Sequence, residues 1–77
     1  MSPKLPVLKA RDLIGALEAA GFQFIRQKGS HKIFGHPDQP ELRVTVPEHG
    51  NHVIKSGTLK SILQQAGLTT EQLRDLL

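Results

Sequence analysis

Apolar positions switch from helical spacing to strand alternation and back to helical spacing along this chain, and the switches mark out its elements. From about Lys9, Ala10, Leu13, Ile14, Leu17 and Ala20 recur at helical spacing, with Arg11, Asp12 and Glu18 on the opposite side. Gly21 then supplies the left-handed residue that commonly ends a helix. Gly15 sits inside this helix at a cost of roughly 1 kcal/mol relative to alanine, which suits a close helix contact. Residues 22–28 read as a strand with broken alternation: Phe22 and Phe24 share one face and Ile25 takes the other, so the pattern leaves the buried face undecided. Residues 31–36 read as a second strand, joined to the first by Gly29-Ser30, a two-residue hairpin connection with glycine first. Pro37-Asp38-Gln39-Pro40 is a turn by composition. Leu42, Val44 and Val46 alternate with Arg43 and Thr45 in a half-buried third strand closed by Pro47.

After a loop over 48–55, Ser56 or Gly57 opens a second helix with Leu59, Ile62, Leu63 and Ala66 on one stripe, closed by Gly67. Thr69 or Thr70 can cap a last short helix over 71–77, with Leu73, Leu76 and Leu77 available to the core. The order is α-β-β-β-α with a short C-terminal helix. This predicts an α+β domain whose three-stranded antiparallel sheet has helices on one face and leaves the other open. Residues 1–8, with Pro3 and Pro6, read as an extended lead-in, and 9–77 as one domain.

Composition narrows the class. A chain of 77 residues is near the size at which apolar packing alone suffices, and such a core rarely supplies more than about 3–5 kcal/mol. It has no cysteine, so neither disulfides nor a thiolate metal site is available. No apolar run approaches the roughly 20 residues of a membrane span, and the start lacks a signal peptide's apolar core. The expectation is a soluble cytoplasmic protein, without a membrane partner and monomeric on its own.

The net charge of +3 is modest, but it is unevenly spread. No acid lies between Glu18 and Asp38, where Arg26, Lys28 and Lys32 fall, and none between Glu48 and Glu71, where Lys55 and Lys60 fall. Such asymmetry suits a one-sided polyanion, RNA or DNA ahead of a membrane surface. The densest stretch is Arg26-Gln27-Lys28-Gly29-Ser30-His31-Lys32, which places an imidazole at a hairpin tip among cations.

Imidazole has a reference pKa of about 6.5, so it can give or take a proton near neutrality. Lys28 and Lys32, flanking His31, are the first candidates to hold phosphate. Arg26 shares strand parity with Lys28, and Gly29 and Ser30 of the turn allow close approach. Lys55 and Lys60 lie at the start of the second helix, whose amide groups can add to an anion site. His49 and His52 in the loop are candidates for RNA contact or for a second proton carrier, His49 being the auxiliary assigned. His36 reads as a strand-end residue. Successive histidine spacings match no common zinc site, and no metal or cofactor is expected. No phosphate-binding glycine loop, dinucleotide fingerprint, Ser-His-Asp order or paired carboxylates is visible.

Four stretches in order carry a resemblance: Gly21-Phe22, Arg26-Gln27-Lys28-Gly29-Ser30-His31, Val44-Thr45-Val46-Pro47-Glu48-His49, and Gly57-Thr58-Leu59-Lys60-Ser61-Ile62-Leu63-Gln64-Gln65-Ala66-Gly67. From about Lys9 to Leu77 the chain resembles the HicA, or YcfA-like, toxins. The resemblance implies a double-stranded-RNA-binding-domain-like fold, mRNA cleavage, and neutralisation by a HicB antitoxin. It also implies that the histidine of the Gly-Ser-His hairpin, His31, is catalytic. RNA carries its own nucleophile, the 2′-hydroxyl, so the expected chemistry is metal-independent transesterification with His31 as base or acid. A non-catalytic double-stranded-RNA-binding module, or a domain that docks a protein on its open sheet face, would use the same fold.

Overall fold

The computed structural model describes residues 5–48 and 50–77. The chain runs α1 (Ala10–Ala19), β1 (Gln23–Lys28), β2 (His31–His36), β3 (Gln39–Pro47), α2 (Ser56–Ala66) and α3 (Thr70–Leu76). The strands form one antiparallel sheet in the order β1-β2-β3.

One face of the sheet carries the core. Phe34 in β2 and Val44 and Val46 in β3 are buried there against Leu13, Leu17, Leu59, Ile62, Leu63 and Leu73 from the three helices. Ala66 closes the stripe of α2, so all four positions read from its period are inside. Gly67 (φ +69°) ends that helix in the left-handed conformation. Thr69 caps α3, accepting the Gln72 N–H on its hydroxyl while the Gln72 side chain accepts the Thr69 N–H. Among the described residues no helix covers the sheet's other face.

Three local expectations are corrected. Gly15 has nothing within 4 Å of where a Cβ would stand, so it marks no helix contact. Leu77 is 55% exposed and does not join the core. The turn between β2 and β3 is only Pro37-Asp38, because β3 begins at Gln39, which pairs with His36. Pro40 lies inside β3, an edge strand, where a missing N–H is tolerated.

The buried face of β1, left undecided by its pattern, is explained by a register shift between Phe24 and Arg26. Phe24 opposes Phe34 on the helix side, at 5.9 Å between ring centroids. Ile25 is the extra residue, and both it and Arg26 lie toward the helix-free side. That bulge is why the first strand does not alternate. Phe22, just before β1, is buried.

The described part of the lead-in, residues 5–8, forms no helix or strand, and Leu8 is buried. Its carbonyl accepts the Ile54 N–H at 2.8 Å, and Lys9 forms a bridge with Val53. The segment after β3 is thereby held to the start of α1.

Candidate functional site

The site starts from the turn joining β1 to β2. Lys28 and His31 are the closing pair, and Gly29 has φ +59° while among the described residues no non-glycine has positive φ. Positive φ at the first central position alone defines a type II′ turn, whose twist suits a two-residue hairpin. The Gln27 side-chain amide donates to the Gly29 carbonyl at 2.8 Å. The Glu48 N–H donates to the Ser30 carbonyl at 2.7 Å, so the turn is tied to the far edge of the sheet as well.

His31 opens the central strand and is exposed, with Lys28 opposite it on β1 and Pro47 opposite it on β3. Cross-strand partners share a face. Lys28, His31 and Pro47 therefore stand in one row on the helix-free side, with Arg26, Ile33 and Thr45 in the next. The sheet brings Arg26 and Lys28 to the imidazole's side, as their parity predicts.

Lys32 goes elsewhere. It pairs across to Val46, a core residue, and so projects from the opposite face. There its Nζ lies 3.0 Å from Glu48 Oε2, and both side chains are partly buried. Adjacent positions on a strand face opposite ways, which sequence proximity conceals. Lys55 precedes the first residue of α2 and is exposed, as is Lys60 one turn further on. His49 lies outside the described residues.

A cleft of about 530 Å³ opens beside this row, lined by Pro47, His52, Val53, Ile54, Lys55 and Thr58. The Leu8–Ile54 hydrogen bond and the Lys9–Val53 bridge fix its outer wall. Sequence reasoning proposed His52 and Lys55 separately and missed that Pro47 and Thr58 join them. No periodic signal spans a loop.

Two further residues were missed. Ile25 Cδ1 and Arg43 Nη1 close over Gly35, at 2.6 and 2.9 Å from where a Cβ would stand. Arg43 is folded back, its Nη1 donating to the carbonyls of Pro40 and Leu42. His36 proves to be a structural joint rather than a bare strand end: its Nδ1 accepts the Asp38 N–H, and its Nε2 lies 3.1 Å from the Ala20 carbonyl. Among the described residues no three His, Asp or Glu side chains gather as a metal site requires, and no helix is long and apolar enough to cross a membrane.

An α-β-β-β-α chain with helices on one sheet face, and cations with an imidazole on the other, is an α+β domain of the double-stranded-RNA-binding-domain-like class. The model of a family described as the HicA toxin of bacterial toxin–antitoxin systems matches residues 10–68, which includes the whole sheet and α2. The chain belongs to the HicA toxin family. A comparison with curated proteins finds no match.

Proposed function

We propose that this toxin is an endoribonuclease that cleaves mRNA in the cytoplasm by acid–base catalysis at His31, and that a HicB-type antitoxin neutralises it. The observation that carries the reading is the row at the turn: His31 exposed and directly across from Lys28, on the sheet face free of helices. Arg26, two residues along β1, extends the cationic edge. Gly29 and Ser30 leave the turn low enough for a phosphate to approach. Lys55 and Lys60 continue the positive surface beyond β3, while Lys32 acts through Glu48, holding the end of β3 beside the turn.

In the proposed reaction the 2′-hydroxyl attacks the neighbouring phosphorus, and His31 takes its proton or protonates the departing 5′-oxygen. The products are a 2′,3′-cyclic phosphate and a 5′-hydroxyl. The cations balance charge on the phosphoryl oxygens as it builds.

His31→Ala tests this. Removing a general acid or base typically costs about 10²–10⁴ in rate, so the variant should lose RNA cleavage and growth arrest. Its circular dichroism, RNA affinity and hold on the antitoxin should stay parental. Cleavage by the parent should persist in EDTA. A purified variant that cuts at the parental rate would remove His31 from the chemistry and leave a double-stranded-RNA-binding module as the better reading.

A further inference from the structure

Cleavage at the 2′-hydroxyl needs two proton movements on opposite sides of phosphorus, one off O2′ and one onto O5′. His31 accounts for one of them under the function proposed above, on which this inference rests. His36 is unsuited to the other, being at the far end of β2 with both ring nitrogens engaged by backbone groups.

His52 is placed differently. It is exposed and lines the cleft together with Pro47, and Pro47 is the residue directly across from His31. The cleft therefore begins one strand away from the first imidazole. Its volume of about 530 Å³ lies within the roughly 300–1,000 Å³ usual for small-molecule sites, room enough for a nucleotide. Pro47, Val53 and Ile54 offer apolar surface for a base or ribose, and Lys55 and Thr58 offer a cation and a hydroxyl for a phosphate. Lys55 shares the lining, Lys9 is paired with Val53, the residue after His52, and Glu48 follows Pro47.

We propose that this cleft seats the nucleotide adjoining the scissile phosphate and that His52, in its wall, moves the second proton. One imidazole enters neutral and takes the 2′-hydroxyl proton as O2′ bonds to phosphorus. The P–O5′ bond breaks with its electron pair on O5′, which takes the proton of the other imidazole, entering protonated. The diester charge is the same before and after, and exchange with water resets the two rings.

The test uses the full chain and a mixed-sequence RNA oligonucleotide. His52→Ala should lower kcat by about 10²–10⁴ and remove one limb of a bell-shaped pH–rate profile. Because the cleft is open, imidazole added to the buffer should restore part of that rate, which it would not do for a merely structural loss. Lys55→Ala should raise KM several-fold and lower kcat far less than His52→Ala does. If His52→Ala keeps the parental rate and profile while His31→Ala is inert, His52 is not the second carrier and the inference is overturned. An unchanged KM in Lys55→Ala would remove the nucleotide from the cleft. If the parent leaves RNA intact, the reading of His31 fails first, and this one with it.

Discussion

A single imidazole joins the end of α1 to the β2–β3 turn. A backbone N–H can only donate, so the Asp38 N–H fixes a lone pair on His36 Nδ1 and puts the ring proton on Nε2, which donates to the Ala20 carbonyl. The ring also stands edge-on to Phe22, 5.1 Å between centroids. Gly21 lies beneath it at φ +99°, and a Cβ there would stand 2.7 Å from His36 Nε2. Gly21→Ala meets backbone strain and that collision together, so it should destabilise by about 1–3 kcal/mol. Gly35→Ala should cost less, although its nominal contacts are as short. What it meets are the ends of Ile25 and Arg43, which can swing aside, and its φ is ordinary. Urea unfolding of the two variants checks the ranking, and the reverse order would mean that His36 yields more easily than Ile25 and Arg43. Sequence reading found Gly21 as a helix stop. It could not find the reason alanine is excluded there, because His36 arrives from the other side of a hairpin.

At the scale of elements, legibility followed repetition. The stripes of α1 and α2 repeat over three turns, so Leu13, Leu17, Leu59, Ile62 and Leu63 were readable as core, and all are buried. Leu63→Ala should cost about 2–5 kcal/mol, a large share of what so small a core supplies. A variant with the parental urea midpoint would mean that α2 can close the space. The first strand was illegible for a definite reason: one inserted residue at the bulge throws Ile25 onto the face of Arg26 and leaves Phe24 half-covered beside Phe34. Period-two reasoning has no term for an insertion. The alternation of strand faces has a second effect: Lys28 and Lys32, both close to His31 in the chain, end on opposite sides of the sheet.

At the scale of the whole molecule the sheet has the helices and the apolar core behind it and Arg26, Lys28 and His31 on the face in front. Binding to single-stranded RNA should therefore weaken with salt, and removing one phosphate-binding cation should lower the log–log slope by about 0.7. Arg26→Ala and Lys28→Ala should each do so. Lys32→Ala should leave the slope near the parental value, since its charge faces away and sits against Glu48. Equal reductions in all three would mean that RNA wraps the edge of the sheet instead of lying on its face. The tether between Leu8 and Ile54 has a kinetic consequence. The three strands close through short turns and can pair early, whereas joining residues 8–9 to 53–54 closes most of the chain into a loop and comes at a larger entropic cost. Native-state hydrogen exchange should accordingly release the Ile54 amide in an opening cheaper than the one that frees β2. A chain leaving the ribosome completes its His31 hairpin before the segment carrying His52 emerges, so this corner of the toxin matures later than the hairpin it adjoins.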